Sequence, residues 1–125
     1  LNGITLSNFH ARASIGRTKN SGIYGTIQAV RNDRLVSIST SVASVAELHE
    51  HINDDGVMRM RKKEGGLMIN PGQPMVMRPG GPHIMLMGLR KRLIAGEMID
   101  LALEFQSGQI LYISVPVVSI KKMHH

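Results

Sequence analysis

His49, Met60, His83 and Met85 carry the most distinctive chemistry in this chain. Two are imidazoles and two are thioethers, and the sequence has no Cys. Thioether sulfur is soft and cannot lose a proton, so it brings no charge to offset a hard or divalent ion. Soft thioethers select Cu(I), whereas imidazole alone also suits zinc, nickel and Cu(II). The set therefore points to copper, and to Cu(I) in particular.

Strands are the elements that must position these groups. In His83-Ile84-Met85-Leu86-Met87, extended backbone puts His83, Met85 and Met87 on one face and Ile84 and Leu86 on the other. Met58 and Met60 alternate with Val57 and Arg59 in the same way, and His49 and His51 are two apart. Three segments thus offer ligand atoms at strand spacing. The spacing predicts strands over Ser21–Val30, Arg34–Thr40, Val45–His51, Val57–Arg61, Leu67–Ile69, Met75–Arg78, His83–Leu89, Met98–Phe105 and Ile110–Val117. Breakers such as Asn53-Asp54-Asp55-Gly56, Asn70-Pro71-Gly72 and Pro79-Gly80-Gly81-Pro82 separate them. Many short strands with regular turns indicate an all-β sandwich or barrel. Ser41–Glu50 has some helical spacing, but its β-branched content favours a loop followed by a strand.

Each candidate also has a plain reading. Met is a flexible core filler, and Met68, Met75, Met77 and Met98 read as core, as do Met58 and Met87. His83 alone on an apolar strand reads as a hydrogen-bonded structural residue. His51 reads as an exposed histidine rather than a spare ligand.

Length and composition narrow the choice. A chain of 125 residues is one domain by the usual prior: residues 1–120 read as the sandwich and 121–125 as a loose polar tail. Absence of Cys excludes disulfides, thiolate zinc sites and Cys nucleophiles. No apolar run approaches the roughly 18 residues of a membrane span. Leu1-Asn2-Gly3 reads as the start of a trimmed or mature chain, compatible with removal of a signal peptide. The formal charge is +6, with basic runs at Arg59–Lys63, Arg90-Lys91-Arg92 and Lys121-Lys122. Nucleic acid is disfavoured: Phe9, Tyr24, Phe105 and Tyr112 are too few to stack single strands, and no helix is periodic enough for a recognition helix. A solvated face or an electrostatic guide toward an acidic partner fits better.

Several segments together resemble the periplasmic copper chaperone family PCuAC. They are Glu47-Leu48-His49-Glu50, Asp55-Gly56-Val57-Met58-Arg59-Met60-Arg61, Glu64-Gly65-Gly66-Leu67 and the run from Pro79 to Leu89. The family signature is a His, ten residues, a Met, a little over twenty residues, then His-x-Met. Here ten residues separate His49 from Met60, and twenty-two separate Met60 from His83, one loop residue more than the family's usual interval. The resemblance covers about residues 4 to 118, including Gly22–Ile27 and Asp33–Val36. It implies a cupredoxin-like Greek-key β-sandwich and a surface Cu(I) site with His49, Met60, His83 and Met85 as ligands. It also implies residence in the periplasm, or anchoring outside the cell, and delivery of copper toward the dinuclear centre of cytochrome c oxidase.

The residues support that chemistry independently. A blue-copper electron-transfer site needs a Cys thiolate with two His, which this chain lacks. Two imidazoles and two neutral thioethers leave Cu(I) a monocation, which permits handover to a thiolate-rich acceptor. The leading expectation is a copper carrier, not an enzyme, whose partner is a subunit of the oxidase or its assembly factor. A copper-buffering or resistance protein without a dedicated acceptor is the alternative, and an interaction domain with core methionines is a third reading. His49 with Glu50 or Asp55 makes an acid–base pair on paper, but no nucleophile elbow or phosphate loop accompanies it. Met123-His124-His125 reads as the stub of a His/Met tail, offering a second site for Cu(II), or as the start of a His tag.

Overall fold

The computed structural model describes residues 3–119. The tail with Met123, His124 and His125 lies outside the described residues. Ten strands carry the described chain: β1 Ile4–Arg12, β2 Asn20–Ala29, β3 Asp33–Ser39, β4 Ala43–Asp54, β5 Val57–Lys62, β6 Leu67–Ile69, β7 Met75–Met77, β8 His83–Leu89, β9 Met98–Phe105 and β10 Ile110–Val118. The strands run in the order β5-β4-β8-β2-β1-β10-β9-β3-β6, and β7 pairs β2 beside β8. This is an all-β, cupredoxin-like Greek-key sandwich. One layer is β5, β4, β8, β2 and β1; the other is β10, β9, β3 and β6. They join where β1 pairs β10 in parallel at Ala11↔Val117 and Arg12↔Val118.

The core forms from the inward half of each alternation. Ile23, Ile27, Ile84 and Leu86 from the first layer meet Leu35, Leu101, Leu103, Phe105 and Val115 from the second. Their partners on the same strands point outward, so the first layer has an apolar inner face and a polar outer one.

β1 is the strand that alternation alone does not reveal. Ile4 and Leu6 pack against the core, but so do Phe9 and Ala11. The phase changes at Asn8, which takes φ 58°, and the pairing with β2 shifts between Ser7 and His10. A bulge inserts one residue and turns the strand over. It puts Phe9 on the core side against Gly25, where an added Cβ would lie within 3 Å of the ring. It also puts His10 on the outer face.

The methionines divide. Met77 is buried and Met75 packs against the core. Met68 and Met98 are exposed instead. Both alternate with buried neighbours, Met68 between Leu67 and Ile69 and Met98 before Ile99. Strand phase, not hydrophobicity, decides where they point. Met58 is also no core residue: it is 61% exposed on β5, an edge strand whose six residues are all exposed.

Candidate metal centre

Strand register lays out the outer face of the first layer as a grid. Directly opposite residues share a face, with Cβ atoms about 4.5–5.5 Å apart. His49 on β4 stands opposite His83 on β8, and their ring centroids are 6.2 Å apart. Beyond His83 lies Tyr24 of β2, ring centroids 5.8 Å apart. Beyond Tyr24 lies its cross-strand partner His10, at 5.6 Å. One row thus crosses four strands. In the next row Met85 stands between Glu47 of β4 and Gly22 of β2. On the other side, His51 stands opposite Met60 of β5. Met60 is diagonal to His49, because His49 pairs with Lys62, and such diagonals are within reach of long side chains.

The four residues expected from the sequence therefore share one surface. His49 and His83 are direct neighbours, Met85 follows His83 on the same face, and Met60 stands diagonal to His49 on the edge strand. His83 is 4% exposed and Met60 45% exposed, so the set runs from a buried imidazole to an open thioether.

Hydrogen bonds set which nitrogens are free. His83 Nδ1–H donates to the Gly81 carbonyl at 2.8 Å, which leaves the Nε2 lone pair available. His49 Nε2–H donates to Glu47 Oε1 at 3.1 Å, and Lys62 Nζ sits 3.6 Å from the other Glu47 oxygen. That leaves His49 Nδ1 with the lone pair. Among the described residues, His49 Nδ1 is the one buried side-chain nitrogen or oxygen with no hydrogen-bond partner. Buried polar atoms are nearly always paired, so an orphaned imidazole nitrogen is suited to hold a metal ion. Carbonyl and carboxylate partners on the far nitrogen are what metal-binding imidazoles use to fix their orientation.

Burial holds the His83 imidazole below its usual pKa. The bond to Gly81 opposes that, and the positive charge of His51, His49 and Arg12 adds to it. The ring is neutral at pH 7, as a ligand must be. Among the described residues no three His, Cys, Asp or Glu side chains gather to hold an ion. The thioethers of Met60 and Met85 are the further protein donors that this face offers beside the two imidazoles.

Four further residues belong to the face. The sequence makes His51 an exposed histidine; in the structure it is half-buried, with its ring 5.7 Å from that of His83. Its place two residues past His49 was the available signal. Tyr24 and His10 gave none, because the bulge at Asn8 hides their pairing. Gly22 is the fourth. A Cβ there would lie 2.7 Å from the Tyr24 hydroxyl, so the absent side chain leaves room for the Tyr24 ring to lean over β2 beside Met85.

A family model described as "Putative lipoprotein LpqE-like" matches residues 4–117. The chain belongs to the LpqE-like family. A relative from Leifsonia xyli subsp. xyli (strain CTCB07), which carries the same lipoprotein description, is 36% identical over 105 residues, covering 84% of this chain and 59% of the relative. The chain spans about three fifths of the length of the curated relatives it matches. Its fold is that of PCuAC domains. The apo PCuAC domain from PmoF1 superposes with a TM-score of 0.78 at 19% identity, covering 94% of each chain. The copper-bound PCuAC domain from PmoF2 gives 0.76 at 19% identity, over 94% of this chain and 93% of that one. The solution structure of CuI-DR1885 from Deinococcus radiodurans gives 0.69 at 24% identity, over 90% and 78%.

Proposed function

We propose that this LpqE-like domain binds one Cu(I) on the outer face of β4, β5 and β8 and passes it on as cargo. His49 Nδ1, His83 Nε2, Met60 and Met85 are the ligands. The observation that carries the reading is the orphaned, buried Nδ1 of His49 directly across from His83, with Met85 next along β8. The chemistry of the donors chooses the ion: two neutral imidazoles and two thioethers suit Cu(I). Copper-bound and CuI-bound domains among the fold's relatives support the same choice.

The arrangement also suits a carrier. The buried His83 anchors the site, while Met60 lies exposed on an edge strand, where an incoming ligand can replace it first. We take the domain to work outside the cytoplasm, in the periplasm or held at the cell envelope, in keeping with the lipoprotein description of its family. Among the described residues no helix is long and apolar enough to cross a membrane. The acceptor that fits the resemblance to PCuAC is the dinuclear copper centre of cytochrome c oxidase or its assembly factor. Copper buffering without a dedicated acceptor is the second reading, since the same ligand set serves both.

Anaerobic Cu(I) titration, followed by mixing with the soluble copper domain of the oxidase, tests both steps. One equivalent bound and then transferred supports the carrier. Tight binding without transfer to that domain or to other thiolate acceptors leaves a buffer. Absence of stoichiometric binding removes copper altogether.

A further inference from the structure

A second feature lies at the end of the sandwich where β1 and β8 finish. Two loops meet there, 13–19 after β1 and 90–97 after β8. They are knitted by backbone: Ser14 N–H donates to the Leu93 carbonyl and Leu89 N–H to the Lys19 carbonyl, each at 2.9 Å. The Ser14 hydroxyl accepts from Leu93 N–H at 2.9 Å. Each loop then makes a turn that starts on an isoleucine, closed by Thr18 N–H to the Ile15 carbonyl and by Glu97 N–H to the Ile94 carbonyl. Both isoleucines point into solvent, Ile15 at 65% and Ile94 at 52% exposure.

Cations surround them. Arg17, Lys19, Arg90, Lys91 and Arg92 all come from these two loops and are exposed. Lys91 pairs with Glu97 at 3.4 Å. Arg17, Lys19, Arg90 and Arg92 make no ion pair or side-chain hydrogen bond among the described residues. A cleft of about 330 Å³ between the loops is lined by Arg17, Thr18, Lys19, Leu89, Lys91 and Arg92. The β4–β5 hairpin differs: Arg59 and Arg61 are tied to Asp54 and Glu50, each at 3.1 Å. Four exposed cations without an ion pair are thus grouped at this end, on well-anchored turns tipped with aliphatic side chains, whereas Arg31 and Arg78 lie outside the group.

We propose that this end of the sandwich docks on an anionic phospholipid surface, with the arginines and lysines on headgroup phosphates and Ile15 and Ile94 dipping into the interface. Cations alone would equally suit an acidic protein or a free phosphate. The isoleucines favour the bilayer, because an apolar side chain among basic ones gains from headgroup and acyl contact together. Each Lys or Arg near an anionic leaflet strengthens partition about fivefold, within a Debye length. The geometry also bears on the metal face. β8 runs from His83 to Leu89 straight into this end, about 20 Å at strand rise. Docking would stand the strands upright and hold that face to the side, clear of the headgroups. The inference does not depend on copper binding.

Co-sedimentation of the full chain with vesicles tests it. One set is phosphatidylglycerol with phosphatidylcholine, the other phosphatidylcholine alone, both at low salt. The chain should pellet with the anionic set only and be released by high salt. The R17E/R92E double variant should lose at least about 25-fold in partition, the effect of two cations. The I15S/I94S variant should weaken it severalfold while keeping the charge. All four positions are exposed, and circular dichroism with a Cu(I) titration will confirm that the variants remain folded with an unaltered metal face. No binding to anionic vesicles overturns the proposal. So does binding that ignores the isoleucines and is displaced by millimolar inorganic phosphate, which would mark a free-anion or acidic-protein site.

Discussion

Replacing Met60 by Ile separates metal binding from folding better than any other change on this face. Met60 is 45% exposed on an edge strand, and Ile suits a strand well. Exposed substitutions of this kind shift stability by about 0.5 kcal/mol or less, so the apo protein should melt where the parent does. The metal should respond strongly. Losing a partner that merely supports a ligand costs about 10–100-fold in affinity, so losing a ligand sulfur should cost at least about 100-fold, or roughly 2.7 kcal/mol. At a free Cu(I) level of about 1,000 times the parent dissociation constant, binding stabilises the parent by about 4.1 kcal/mol and the variant by about 1.4 kcal/mol. For a domain of this size that difference is worth on the order of 10 °C in midpoint. The assay is anaerobic melting with and without buffered Cu(I), paired with competition against a Cu(I) chelator. Met68→Ile, at an equally exposed thioether on β6 well away from the metal face, is the control. A Met60→Ile protein that keeps the parent's copper-dependent shift would remove Met60 from the site and refute the diagonal-reach argument.

Other outcomes follow from the same geometry. Zinc should bind far more weakly than Cu(I), because thioether is a poor substitute for its usual ligands and no three harder ligands gather among the described residues; tighter zinc in a competition titration would contradict this. Cu(I) affinity should fall as acid protonates His83, which burial shifts to a pH below its ordinary value, since a ligand imidazole must be neutral to bind; a profile with no acid-side loss while the protein stays folded would favour a site of Met58, Met60, Met85 and Met87 alone. In the apo protein, burial keeps the His83 pKa below 6.5, so the unfolded chain takes up its proton first. His83 therefore lends its full stability above pH 6.5 and loses it as pH falls from there toward its lowered folded value. His83→Gln should flatten that part of the pH–stability curve in urea titrations. Gly22→Ala should displace the Tyr24 ring, costing about 1–3 kcal/mol as overpacking does and weakening Cu(I) through Met85; unchanged stability and affinity would show that Tyr24 yields freely.

Placing the candidate residues from the chain alone is possible where their geometry is local. His83 and Met85 are two apart on one strand, and period-two alternation alone puts them on one face. The thioether–imidazole chemistry, the absence of Cys and most strand limits are equally properties of residue type and spacing. The methionines mark where this stops. Met68 and Met98 look as apolar as Met77, but only strand phase against the opposite layer decides which one is buried.

What the tertiary structure decided is register. Alternation tells which side of a strand a residue occupies, not which residue of the neighbouring strand it faces. That His49 meets His83, that Met60 lies diagonal to His49, and that His51 closes against His83 all depend on how β4 slides between β5 and β8. The hairpin turn at Asp54–Val57 sets one of those registers and long-range packing the other. The bulge at Asn8 goes further, because one residue with positive φ reverses the phase of β1 and brings His10 to Tyr24, which no periodic pattern would reveal. The orphaned nitrogen of His49 is likewise a tertiary property: the packing around it excludes water, and the bond from Nε2 to Glu47 leaves Nδ1 without a partner.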